Sequence, residues 1–136
     1  MIETPYIALP SKAGPVYKPL IRVRLNYTKT HKITLPVTAL IDSGADVCFC
    51  SDFIAAWLGI KLEKIKEVEE FTAANGGTFK TKPVVLKMIV GDIGYNCKFY
   101  FTDVLPRHTP IILGQIGFFD RFKITFDAKK EIIRVE

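Results

Sequence analysis

The chain is poor in several residue types, and each scarcity excludes something. Among 136 residues there are three cysteines, two histidines and one tryptophan. An odd and small number of cysteines makes no disulfide framework, and they are expected as reduced thiols packed in a core. There is no C-x-x-C pair, and His31 and His108 lie far in sequence from Cys48, Cys50 and Cys97, so no zinc pattern is present either. No metal and no other cofactor is expected. No apolar run approaches the roughly 18 residues that a membrane span requires. The opening MIETPYIALPSKAG lacks a basic start followed by a long apolar stretch, so no secretion leader and no membrane partner are expected. With reduced thiols, this points to a cytoplasmic location. Acidic residues are fewer than basic ones, 14 against 19, which gives a net charge of +5. The Lys and Arg are spread along the whole chain with no basic stripe interleaved with aromatics, so no nucleic-acid partner is expected.

What is present has the balance of an ordinary folded protein, with 49% apolar and 24% charged residues, no repeat and no low-complexity stretch. A chain of this length buries roughly two thirds of its unfolded surface in one core. Pro5, Pro10, Pro15 and Pro19 exclude helix interior from residues 1–19, which are expected to form an extended arm over the surface or against a partner. Residues 20–136 are expected to form a single domain. IRVRLNY alternates apolar and polar residues and forms a hairpin with ITLPVTALID, where Pro36 implies an edge or a bulge.

SDFIAAWLGI has helical spacing, with Ser51 or Asp52 to cap it, Gly59 to end it and Trp57 as a core anchor. KLEKIKEVEE suits a solvated surface. Asn75-Gly76 and the Gly91–Asn96 region mark two further hairpins. The last third predicts a short strand ending at Gly114, a short helix over 115–121, and two strands joined by DAKK, with Phe118, Phe119, Phe122 and Phe126 as core or interface packing. Eight or so short strands with one or two short helices give an all-β, barrel-like domain.

One stretch carries chemistry. LPVTALIDSGADVCFC ends an apolar run in Asp42-Ser43-Gly44, and about seventy residues later a second apolar run ends in Leu113-Gly114. An ionised carboxylate at the mouth of a core is costly unless it is paired or hydrogen-bonded. As a bland alternative, Asp42 is a turn residue that accepts backbone N–H bonds.

ALIDSGAD with IILG at this spacing resembles the retropepsins, single-domain aspartic peptidases of retroviruses and their cellular and prokaryotic relatives. The likeness runs from about Leu20 to Val135. It implies an acid-protease barrel and an aspartic endopeptidase in which Asp42 is catalytic. One Asp42 per chain requires a homodimer, so that two carboxyls share one proton and act as base and acid on one water. Ser43 and Gly44 would form the active-site loop. An extended peptide substrate would lie along Ala45 and Asp46 under a flap of Ala73, Ala74, Asn75, Gly76 and Gly77, with Ile112 in the pocket wall.

Viral members follow Leu-Gly with an Arg that pairs with the Asp matching Asp46, and this chain has Gln115 there. Either Asp46 finds Arg107 or Arg121, or the dimer interface is built differently. The viral interface strand at the N-terminus likewise has no clear match in the arm. The rival from another class is an inactive peptide-binding or dimerisation module on the same barrel, and a third reading is a monomeric barrel with Asp42 merely structural.

Overall fold

A computed structural model describes residues 1–136. The chain opens with β1 (Ile2–Pro5) and a small hairpin of β2 (Ile7–Leu9) and β3 (Val16–Lys18). Then come β4 (Leu20–Tyr27), β5 (Lys32–Ile33), β6 (Val37–Ile41), β7 (Cys48–Ser51) and helix α1 (Asp52–Trp57). A long hairpin follows, β8 (Glu69–Thr72) with β9 (Thr78–Val90), which turns at Gly91 and Asp92 into β10 (Ile93–Thr102). The chain ends with β11 (Ile111–Leu113), β12 (Ile124–Asp127) and β13 (Ile132–Val135). No helix is long and apolar enough to cross a membrane.

The main sheet runs β5-β4-β6-β11-β7-β10-β9-β8, and an extra pairing of β4 with β9 closes six of these strands into a barrel. Alternation sets the inside: β4 buries Leu20, Ile21, Val23 and Leu25, while Arg22 and Arg24 point to water. Phe99, Phe101 and Phe118 are fully buried and fill the centre of the core. Pro36 breaks the second run of the first hairpin into β5 and β6, because it has no N–H to give to the ladder. The N-terminal segment is extended, as its prolines require, and β1 pairs antiparallel with β13 of its own chain. That leaves β1 and β12 as the edges of a separate three-stranded sheet.

Helix α1 begins and ends where the sequence places it, but two of its residues behave differently. Its C-terminus is a complete Schellman closure: the Ile60 N–H donates to the Ala55 carbonyl at 2.8 Å and the Gly59 N–H to Ala56 at 3.2 Å. Gly59 sits at φ +70°, a conformation that side chains disfavour. Ser51 occupies the N-cap position without a side-chain bond to the helix, because it is buried in β7 pairing. Trp57 is not a core anchor. Ile54, Ala55 and Leu58 take the inner face of so short a helix, which turns Trp57 outward at 57% exposure, edge-on to the exposed Phe53.

The expected helix over 115–121 is a chain of turns. Its bonds have no single span: Phe119 N–H to Gly114 at 3.2 Å and Asp120 to Gln115 at 3.1 Å reach five residues back, while Arg121 and Phe122 reach three and four back to the Phe118 carbonyl. Gly117 at φ +108° lies outside helical space. Of the C-terminal aromatics, Phe118 is buried, Phe119 and Phe122 pack against it, and Phe126 is exposed on the chain's surface and not in its core.

Candidate functional site

Asp42 stands one residue beyond β6, where the ladder to β11 runs out. Its N–H donates to the Leu113 carbonyl at 3.0 Å, so the last ladder bond fixes the backbone of the Asp itself. One carboxylate oxygen, Oδ1, accepts the Gly44 N–H at 2.9 Å, and the Ala45 N–H donates to the Asp42 carbonyl at 3.1 Å. This is the tight turn that Asp-Ser-Gly favours, and it leaves Oδ2 free at a half-exposed position. The bland and the functional readings of Asp42 thus share one geometry.

The loop from Ser43 to Val47 is held from one side by the residues after β11. The Gln115 N–H donates to the Ala45 carbonyl and the Ile116 N–H to the Asp46 carbonyl, each at 2.9 Å, and the Gln115 side-chain amide donates to the Ser43 carbonyl at 2.8 Å. Gly114 makes this approach possible. A Cβ on it would stand 2.2 Å from the Val47 carbonyl oxygen and 2.6 Å from that of Ala45, both rigid backbone atoms. Only the absence of a side chain lets the two loops touch.

Gln115 therefore acts within its own chain as a neutral clamp on the Asp42 loop. Asp46 meets neither Arg107 nor Arg121, since the one ion pair in the chain joins Arg134 to Glu3 at 3.6 Å. Of the alternatives for Asp46, a partner within the chain is ruled out. For Arg121 the reason is geometric: its guanidinium lies over the Tyr95 ring at 4.5 Å.

Opposite the loop, the β8–β9 hairpin folds over as a five-residue turn. The Ala73 N–H donates to Gly77, the Gly76 N–H to Ala73, and Asn75 Oδ1 accepts the Gly77 N–H at 2.8 Å. Between the two lies a cleft of about 590 Å³. It brings together Asp42, Gly44, Ala45, Asp46, Ala73, Ala74, Asn75, Gly77 and Ile112, which the sequence had placed in one site. Ser43 and Gly76 are exposed and lie outside its lining.

Sequence reasoning missed the aromatic wall. Phe49, Phe71 and Phe79 line the cleft with Leu105, and Phe49 stands 5.1 Å from Phe71 in edge contact. For Phe71 and Phe79 the available signal was their alternation with polar neighbours on β8 and β9; Phe49, between two buried cysteines, gave none. The only ionisable side chains in the lining are Asp42 and Asp46. The arrangement can accept an extended chain with apolar side chains and can offer one carboxylate to its backbone. No cluster of metal-ligating side chains exists in the chain.

No family model matches the chain, and no curated protein sequence matches it. Solved structures do. A retropepsin-like aspartic protease from Rickettsia conorii is 20% identical and superposes with a TM-score of 0.61, covering 98% of each chain. The retroviral protease-like domain of Ddi1 from Leishmania major is 16% identical, with a TM-score of 0.50 over 86% of this chain and 88% of that one. These likenesses are of fold, and the chain has the retropepsin-like aspartic protease fold.

Proposed function

We propose that the protein is an aspartic endopeptidase working as a homodimer, with Asp42 of each chain forming the catalytic pair. The observation that carries this is Asp42 in the floor of a cleft faced by the 73–77 loop, in a barrel of this fold. Within a single chain the only other carboxylate in the cleft is Asp46, which stands beyond the turn that Asp42 closes. A two-fold axis beside Asp42 supplies one from the partner. Two carboxyls that close share a single proton and titrate as a pair.

The ionised member takes a proton from water as the water oxygen attacks the scissile carbonyl carbon. The protonated member gives its proton to the carbonyl oxygen, and the tetrahedral species then breaks its C–N bond as the amine leaves with a proton. The 73–77 loop serves as the flap that excludes bulk water. Ala45 and Asp46 offer backbone groups to an extended peptide, which binds as an added strand. Ser43 and Gly44 keep the paired loops in register, and Ile112 with the three phenylalanines receives apolar side chains. In this reading 20–136 is the protease domain and 1–19 an arm anchored through β1. The enzyme acts on peptides in a cytoplasmic setting without metal or cofactor.

The test is cleavage of a mixture of unfolded peptides from about pH 4 to 7, wild type beside Asp42→Asn, with products read by mass spectrometry. Cleavage by the wild type alone is the expected result. Equal cleavage by both proteins overturns the mechanism. Peptide binding without turnover, unchanged in Asp42→Asn, identifies the inactive binding module instead.

A further inference from the structure

Behind the Asp42 loop, on the core side of the 114–117 segment, two thiols meet. Cys48 on β7 and Cys97 on β10 are both buried, at 0% and 3% exposure. The Cys48 thiol donates to the Ile116 carbonyl at 3.6 Å and the Cys97 thiol to the Gly117 carbonyl at 3.7 Å. Both sulfurs crowd the same spot: a Cβ on Gly117 would stand 2.9 Å from the Cys97 sulfur and 3.1 Å from that of Cys48. Cys50 is excluded from the pair, because it sits opposite Phe101 while Cys48 sits opposite Phe99, two residues beyond Cys97.

We propose that Cys48 and Cys97 form a reversible dithiol/disulfide pair, oxidised by a peroxide, whose oxidation loosens the 114–117 clamp on the loop carrying Asp42. This stands on the thiol geometry alone and holds whether or not the cleft hydrolyses peptides. The contact with Cys97 holds the Cys48 thiol below its ordinary range against its own burial, and the same contact with burial pushes Cys97 up. That order makes Cys48 the thiol that attacks first once a local opening of the buried pair admits the peroxide.

Its thiolate attacks a peroxide oxygen, the O–O bond breaks, and a sulfenic acid and hydroxide form. The Cys97 sulfur then attacks the sulfenic sulfur, the S–O bond breaks, and hydroxide leaves with the Cys97 proton as water. In total two thiols and one hydrogen peroxide give one disulfide and two waters. Cys48 and Cys97 lie diagonally across the parallel pairing of β7 and β10. Diagonal neighbours across a sheet stand about 7–8 Å apart, beyond the roughly 4.4–6.8 Å that a disulfide spans, so closing the bond must draw the strands together and leaves it easily reduced. A disulfide has no S–H. The Ile116 carbonyl loses its thiol donor, while Gly117 keeps the Tyr95 hydroxyl at 2.6 Å. Ile116 is the residue whose N–H holds Asp46.

The experiment treats the intact native chain with excess hydrogen peroxide and reads intact mass and non-reduced peptide maps. The expected product is lighter by about 2 Da, carries one Cys48–Cys97 cross-link with Cys50 free, and reverts with dithiothreitol. The Cys50→Ala variant keeps the cross-link. Amide hydrogen exchange at Gln115 and Ile116 in the oxidised chain rises about threefold, the weight of a weak S–H···O bond. The pair is refuted by oxygen addition without a cross-link, by a bond to Cys50 or between chains, or by a product that forms only in denaturant. Unchanged exchange in the cross-linked chain refutes its coupling to the loop.

Discussion

Replacing Gly114 by Ala tests whether the contact between the two loops is built on a missing side chain. The new Cβ would stand 2.2 Å from the Val47 carbonyl oxygen, 2.6 Å from that of Ala45 and 2.8 Å from the Val47 carbonyl carbon. All three are backbone atoms of a loop already fixed to Gln115 and Ile116, so no rotamer change relieves the overlap. The loops must part by roughly 1 Å, which stretches the 2.9 Å bonds from Gln115 to Ala45 and from Ile116 to Asp46. Overpacking with the partial loss of two backbone bonds costs about 3 kcal/mol. For a chain of this length that lowers the melting midpoint by roughly 10 °C.

Gly94→Ala is the matched control. Its Cβ would stand 2.8 Å from Lys87 Cε, nearly as close, but that atom is the mobile end of an exposed side chain. Gly94 lies within β10, where Ala costs within about 0.5 kcal/mol of zero. Urea unfolding followed by circular dichroism gives both values. Equal midpoints for the two variants, or a Gly114→Ala protein as stable as wild type, would refute the reasoning that backbone proximity at Gly114 shapes the Asp42 loop.

Two further substitutions check other parts of the account. Trp57→Ala is expected to cost about 1 kcal/mol or less, against about 3–5 kcal/mol for Phe99→Ala, because Trp57 is 57% exposed and Phe99 fully buried; urea midpoints decide between this and a core role for Trp57. Asp52 has a buried Oδ1 without a hydrogen-bond partner, and burial raises its carboxyl above the ordinary range, with Asp103 adding to the rise and Lys82 opposing it. As pH climbs from the ordinary carboxylate range through the raised value, the unfolded chain has lost this proton while the folded chain still holds it, so the group's contribution to stability declines. The melting temperature of Asp52→Asn relative to wild type is therefore expected to be more favourable near pH 8 than near pH 4, and a pH-independent difference would contradict the burial argument.

Much of the cleft was legible because its chemistry is written in residue identity. An Asp followed by Ser-Gly states a turn that its own carboxylate closes, and the Gly44 N–H bond to Oδ1 is that turn. The Gly of IILG was legible as a strand end, whereas its close approach to the Ala45 and Val47 carbonyls needed the structure. Helix α1 was readable at its C-terminus, where a Schellman closure needs Gly59, yet not in its facing: with six residues, the spacing alone does not say whether Trp57 or Leu58 goes inside.

The failures lie where distant segments decide. Residues 115–121 look helical locally, but Gln115 and Ile116 spend their N–H groups on Ala45 and Asp46, and Gly117 turns beside two sulfurs from other strands. The pairing of β1 with β13 joins opposite ends of the chain and leaves no local pattern. The meeting of Cys48 with Cys97 depends on the register of β7 against β10, which residue spacing does not encode. The departure at Gln115 was visible in the sequence, whereas its use as a neutral clamp on Ser43 needed coordinates.

The central claim is that two chains each supply Asp42 to one active site, and subunit mixing tests it most directly. Wild type and Asp42→Asn are combined at fixed total concentration, allowed to exchange subunits, and assayed on one peptide found to be cleaved. If a working site needs both carboxylates, activity follows the square of the wild-type fraction, and an equal mixture retains about one quarter of the full rate. A linear decline, with about one half of the rate left in the equal mixture, would mean that each chain works alone and would contradict the account.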